Sequence, residues 1–145
     1  MIIDSHCHLT YEPMSSSLEE TIKRANKDGV EFLLTISTED KSFSNILNIL
    51  DKYKCVYGSY GIHPHEAKQH KGIKFENIIE KVKQNKKIIG IGETGLDFYY
   101  NHSEKKDQIE SFLEHIEASQ KTNLPIIVHT RAAEDETFKI LQTAV

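Results

Sequence analysis

The chain has 145 residues, 38% of them apolar and 28% charged, with a formal net charge of −4. That length and mix fit one globular domain with a sizeable core and exclude a disordered or low-complexity chain. The acidic balance argues against broad electrostatic binding to nucleic acid, but not against a small site where a metal meets one phosphate. Two cysteines, Cys7 and Cys55, make neither a disulfide framework nor a zinc ribbon. With no basic leader followed by an apolar run and no segment of membrane length, a cytoplasmic protein without a membrane partner is expected.

The first nine residues read M-I-I-D-S-H-C-H-L. Ile2 and Ile3 predict the start of a buried strand, on which Asp4, His6 and His8 share one face while Ser5 and Cys7 point the other way. Two imidazoles at this spacing make a pair of metal ligands; imidazole alone does not select among zinc, copper, iron and nickel. Ser17-Leu18-Glu19-Glu20 predicts a capping box with Ser17 as N-cap, opening a helix through Leu18, Ile22 and Ala25 that Gly29 closes. Val30 to Ile36 predicts the second strand. Phe43, Ile46, Leu47 and Leu50 then give one apolar face of a second helix.

Cys55 to Ile62 predicts the third strand, followed by a helix marked by Phe75, Ile78, Ile79 and Val82. Ile88 to Gly92 is a short, apolar fourth strand, and Ile109, Phe112, Leu113 and Ile116 mark the fourth helix. Pro125 to Val128 opens a fifth strand. A fifth helix, starting near Ala133 or Asp135, turns Phe138 and Leu141 inward.

Five β-then-α units with near-continuous apolar strands predict a parallel sheet covered by helices. An open nucleotide-binding sheet would carry a glycine-rich turn after its first strand, where this chain has Asp4, His6 and His8. His6, His8, His63, His65, Glu93 and His129 instead fall at the C-terminal ends of strands, where barrel enzymes carry their chemistry. A complete barrel takes about 250 residues, or roughly 30 per unit. Only five units fit here. The expected fold is an incomplete TIM-type (β/α)8 barrel: a single α/β domain over residues 1–145 that comprises the first five units and stops before strands six to eight.

Four motifs stand in order along the chain: D-S-H-C-H-L at 4–9, G-I-H-P-H at 61–65, G-E-T-G-L-D-F-Y-Y at 92–100 and P-I-I-V-H-T-R at 125–131. Together they resemble the leading signatures of the TatD family of metal-dependent deoxyribonucleases and related hydrolases. The resemblance implies divalent cations, two in the family, as Mg2+, Mn2+ or Zn2+, and cleavage of DNA phosphodiester bonds as a 3′–5′ exonuclease. It implies metal ligation by His6, His8, Glu93 and His129, with Glu93 as the catalytic carboxylate that bridges two metals through its two oxygens. It also places His63 and His65 near substrate, as phosphate donors.

Arg131 can pair bidentately with a phosphate, or instead with Glu134 or Asp135. Asp97 is expected to orient a histidine or cap a loop, Tyr99 and Tyr100 to stack on a base or simply to pack, and Cys7 to fill apolar space. Two departures from the family stand out. Many relatives have Asp where this chain has Ala132, and the family's later His and Asp, after strands six and eight, have no counterpart in these residues.

Three functions remain open on sequence. The first is a metal-dependent nuclease that needs a complementing C-terminal half or self-association. The second is a metal-dependent hydrolase of another ester or amide on the same barrel. The third is an inactive remnant that at most binds metal.

Overall fold

The computed structural model describes residues 1–144. Strands β1 (Ile2–Cys7), β2 (Val30–Thr35), β3 (Val56–Tyr60), β4 (Ile88–Asp97) and β5 (Ile126–Arg131) alternate with helices α1 (Leu18–Lys27), α2 (Phe43–Lys52), α3 (Phe75–Val82), α4 (Lys105–Thr122) and α5 (Glu134–Thr143). All neighbouring strands are parallel and stand in chain order, so the sheet curls into a half-barrel. Every β-to-α loop therefore lies at the same rim.

The alternation of side chains along each strand divides the apolar residues between two faces. Leu33, Val56 and Ile88 pack outward with Ile46, Leu50 and Ile78 from the helices. Their neighbours Phe32, Leu34, Tyr57 and Ile89 face the concave side, where they line a cavity of about 260 Å³. A second cluster of Leu96, Phe112, Ile116, Ala133 and Ile140 seats α4 and α5 beside the last two strands. Among the described residues no helix is long and apolar enough to cross a membrane.

The fourth strand is longer than its apolar run suggests. It continues past Gly92 to Asp97 because Thr94, Gly95, Leu96 and Asp97 pair with Val128, His129, Thr130 and Arg131 of β5. Polar and glycine residues thus remain in the ladder. The capping box at Ser17 does not form: Ser17 is the N-cap, but its hydroxyl donates to the Pro13 carbonyl at 3.1 Å. Pro64 opens a 3-10 helix over Pro64–His70, with His63 as its N-cap.

Helix α4 buries a different face from the one its apolar residues predict. Phe112 and Ile116 point inward, but so do Asp107, Gln108, Ser111 and His115, while Leu113 is exposed. Backbone groups of neighbouring loops explain this, since Gln108 and His115 bond to them directly. In α5 the inward face is Ala133, Thr137, Ile140 and Leu141, at i, i+4, i+7 and i+8. Phe138 lies one position off that face and is 62% exposed, contrary to the sequence expectation, whereas Leu141 does pack inward.

Candidate metal centre

Glu93 sits midway along β4, level with the C-terminal ends of β2 and β3. Its amide donates to the Ser37 carbonyl at 2.8 Å. Ser37 Oγ donates in turn to Gly61 O, and Ser59 Oγ to Gly92 O, so two buried hydroxyls tie the strand ends to one another. The glycines of G-E-T-G let β4 lie close against β5. Gly92 and Gly95 have φ of +137° and +136°, and a Cβ on them would lie 2.4 Å from Ile127 O and 2.1 Å from His129 O.

The Glu93 carboxylate divides its two oxygens between two sets of histidines. Oε2 lies 3.5 Å from His6 Nε2 and 3.9 Å from His8 Nε2. Oε1 lies 3.2 Å from His129 Nδ1 and 4.0 Å from His63 Nε2. Burial alone would raise the Glu93 pKa, but the His129 hydrogen bond and the His63 and His6 charges hold it below the usual value. His6 and His8 come together as the strand alternation predicts, while Asp4 turns back to accept the His6 amide at 3.1 Å.

Asp97, fully buried at the end of β4, organises the neighbouring rings. Its Oδ2 accepts from His65 Nε2 at 2.9 Å and from His129 Nε2 at 3.0 Å. Its Oδ1 accepts the Tyr99 and Tyr100 amides at 3.1 and 3.0 Å. Burial opposes ionisation, yet the Tyr100 amide and the His65 and His129 rings outweigh it and hold the carboxyl well below the usual range. Asp97 thus both orients histidines and caps a loop.

These bonds place the ring protons. His129 donates from Nε2 to Asp97 and from Nδ1 to Glu93, which raises its pKa, first through Glu93 and also through Asp97, against burial; a cation at Glu93 would take the place of the Nδ1 proton and leave Nε2 on Asp97. A ligating imidazole held by a carboxylate behind it has this form. His63 differs. Its Nδ1 accepts the His65 amide at 3.2 Å, which puts the ring proton on Nε2, facing Glu93. Burial first, then the adjacent His129, pushes its pKa down to about 4, so at neutral pH it is an uncharged N–H donor.

Among the described residues, two groups of donors have atoms within 4.8 Å of one another: His6, His8 and Glu93, and His63, Glu93 and His129. The first is a two-histidine, one-carboxylate set that leaves coordination positions open, which suits a divalent cation. In the second, the His63 tautomer takes that ring out of ligation and leaves Glu93 and His129. Burial first lowers the His8 pKa, against the pull of Glu93.

His65 has its Nε2 on Asp97. The Arg131 guanidinium lies 5.1 Å from the Tyr100 ring centroid rather than on Glu134 or Asp135. Tyr99 and Tyr100 are 68% and 50% exposed and do not pack into the core. Cys7 is a partly buried filler whose thiol donates to Leu34 O and is pushed up to about 12, chiefly by burial.

Three contributors escape the sequence expectations. His115 of α4, fully buried, donates from Nδ1 to Ser111 O and accepts the Ile62 amide at Nε2, fixing the backbone just before His63. Gln108 accepts the Asp97 amide at 2.8 Å and donates to the Asp97 carbonyl. Tyr11 stacks on His8 at 5.0 Å and helps line a cleft of about 490 Å³ that reaches His63 and Glu93. Only Tyr11, three residues past His8, carried a signal in its position.

A parallel half-barrel whose rim converges histidines on one shared carboxylate defines a β/α-barrel protein with a set of candidate metal ligands at its mouth. The family profile described as TatD related DNase matches residues 3–145, and the chain belongs to that family. An uncharacterized metal-dependent hydrolase of Buchnera aphidicola subsp. Acyrthosiphon pisum is 39% identical over 97% of this chain and 56% of its own length. The 3′-5′ ssDNA/RNA exonuclease TatD of Shigella flexneri is 27% identical over 97% of this chain and 54% of its own. The crystal structure of YjjV, a TatD homologue from Escherichia coli K12, superposes with a TM-score of 0.85 at 26% identity, covering 99% of this chain and 56% of that one. The chain therefore spans about half the length of the relatives it matches.

Proposed function

We propose that residues 1–145 form the ligand-bearing half of a divalent-metal-dependent hydrolase that cleaves DNA phosphodiester bonds from the 3′ end. The observation that carries this is the Glu93 carboxylate, with Oε2 turned to His6 and His8 and Oε1 to His129. His6, His8 and Glu93 hold one cation, and Glu93 with His129 holds a second less firmly. When bound, the cation supplies an acidified water and Lewis acidity toward a phosphoryl oxygen. The imidazole ligands suit Zn2+, while the carboxylate and the open water positions also suit Mn2+ or Mg2+.

The chain's own residues do the rest. His63 donates its Nε2–H to a non-bridging phosphate oxygen, and being neutral it does so without competing for the cation. Asp97 fixes His65 and His129 so that neither ring rotates as substrate enters. His65 and Arg131 stand at the mouth on the substrate side, and the roughly 490 Å³ cleft admits a nucleotide beside Glu93. The remaining barrel wall comes from further polypeptide, joined to this chain or separate. The share of each relative that the chain covers and the open concave face both support that arrangement.

The test is mononucleotide release from 3′-labelled single-stranded DNA by the chain complemented with its C-terminal half, with and without Mn2+. Release should require the metal, and Glu93→Gln should lower it by about 100-fold or more, as for loss of an electrostatic stabiliser. Full activity of that variant would place the chemistry elsewhere. Turnover of simple esters or amides but not DNA would assign another substrate class, and metal binding without any turnover would leave a remnant.

A further inference from the structure

The loop after β4 puts an aromatic cluster in water beside the metal centre. The Tyr100 and His102 rings are parallel, 5° apart in tilt, with centroids 5.7 Å apart. Tyr99 stands edge-on to Tyr100 at 4.8 Å, and Arg131 places its guanidinium 5.1 Å from the Tyr100 centroid. Exposure of aromatic rings usually marks a mobile segment or a contact surface. Mobility does not explain this loop. Asp97 Oδ1 holds the Tyr99 and Tyr100 amides, Ser103 Oγ donates to His65 O, the Lys68 amide donates to Ser103 Oγ, and Gln108 Nε2 donates to Ser103 O.

The loop backbone is pinned while its rings face outward. The same carboxylate that pins it also holds His65 and His129, so the cluster keeps a fixed distance from the reacting centre. His65 links the two directly: its ring centroid is 5.6 Å from Tyr100, 4.6 Å from His102 and 6.2 Å from His129.

We infer that Tyr100, His102 and Arg131 form a stacking subsite for the unpaired nucleobase adjoining the phosphate at the metal centre. Flat rings together with a guanidinium recognise the π-face that every base offers, so the subsite takes single strands with little sequence preference. Paired bases keep their faces covered by their neighbours, and the subsite therefore selects against duplex. This inference rests on the phosphodiesterase reading and names the part of the substrate that reading leaves open.

The experiment compares two probes on the metal-loaded 145-residue chain, at a salt concentration held constant. One is a six-nucleotide single-stranded oligothymidylate with non-hydrolysable linkages; the other is its abasic sugar-phosphate counterpart. Fluorescence anisotropy should show the base-bearing probe binding about tenfold or more tightly than the abasic one. The double variant Tyr100→Ala/His102→Ala should erase that preference while keeping abasic affinity and metal uptake, and Tyr100→Trp should preserve it. Equal affinity for the two probes in the unaltered protein would overturn the subsite and leave the phosphodiesterase reading standing. Metal uptake without binding of either probe would overturn both.

Discussion

The Nε2–H of His129 donates to Asp97 Oδ2 at 3.0 Å, across the β4–β5 pair, and this bond decides which ring nitrogen faces Glu93. With Nε2 held behind, Nδ1 is left 3.2 Å from Glu93 Oε1. Asp97→Asn keeps the shape but offers an amide where two ring N–H groups and two loop amides now find acceptors. Cation affinity at the Glu93–His129 position should fall about 10–100-fold, as for other supporting partners of ligating histidines. Isothermal titration would detect it; unchanged affinity would mean Asp97 does not set the tautomer.

The glycine two residues past Glu93 makes a second prediction. A Cβ at Gly95 would sit 2.1 Å from the His129 carbonyl, at a φ of +136° that side chains rarely adopt. Gly95→Ala should therefore cost more than about 1 kcal/mol in denaturant unfolding and weaken cation binding through His129. Equal stability and affinity would show that β5 can move aside.

The alternation of strand and helix was legible because apolar runs and helical spacing answer to local rules, and His6 and His8 were legible as a pair because strand geometry puts them on one face. What stayed hidden depends on partners far along the chain. His115 and Gln108 lie on a helix whose apolar spacing points elsewhere, and each is buried because a backbone group 53 or 11 residues away needs it. The extension of β4 through Glu93 to Asp97 was hidden for the same reason: its pairing with β5 outweighs the weak strand preference of glycine and aspartate. The roles of His63 and His65 were adjacent in sequence and separated only by their bonds, one to a backbone amide and one to Asp97.

Acid stability follows from two buried groups with opposite chemistry. Burial pushes His115 down to about 4. From about pH 6.5 to 4 the unfolded chain binds a proton that the folded ring refuses, so stability falls as pH falls, by up to about 1.4 kcal/mol per pH unit. Below that window the contribution of His115 is flat. Asp97, with its folded pKa depressed, stabilises fully above about pH 4 and loses that effect only as pH drops further. Thermal melts should show His115→Gln flattening the slope between pH 6.5 and 4, where His63 retains a share in the same direction. A slope identical to that of the unaltered protein would contradict the assignment.

On the concave side, Ile3, Phe32 and Ile89 are 58%, 36% and 40% exposed. The outer edges of β1 and β5 have no strand partner among the described residues. Apolar surface and open strand edges both favour association. The 145-residue chain alone should therefore scatter light as oligomers, and Phe32→Ser/Ile89→Ser should shift it toward monomer. A monodisperse monomer with a sharp melt would show that the half-barrel is sufficient in itself.

The central claim is that His6 and His8 with Glu93 Oε2 form the firmer cation position, and that His63 lies beside it as a donor and not a ligand. Equilibrium dialysis of the folded chain against Zn2+ or Mn2+ tests it most directly, in the unaltered protein, in His6→Ala/His8→Ala and in His63→Ala. The account predicts stoichiometric uptake that is lost in the double variant and kept in His63→Ala. Uptake unchanged in the double variant, or abolished by His63→Ala in a chain that still folds, would contradict it.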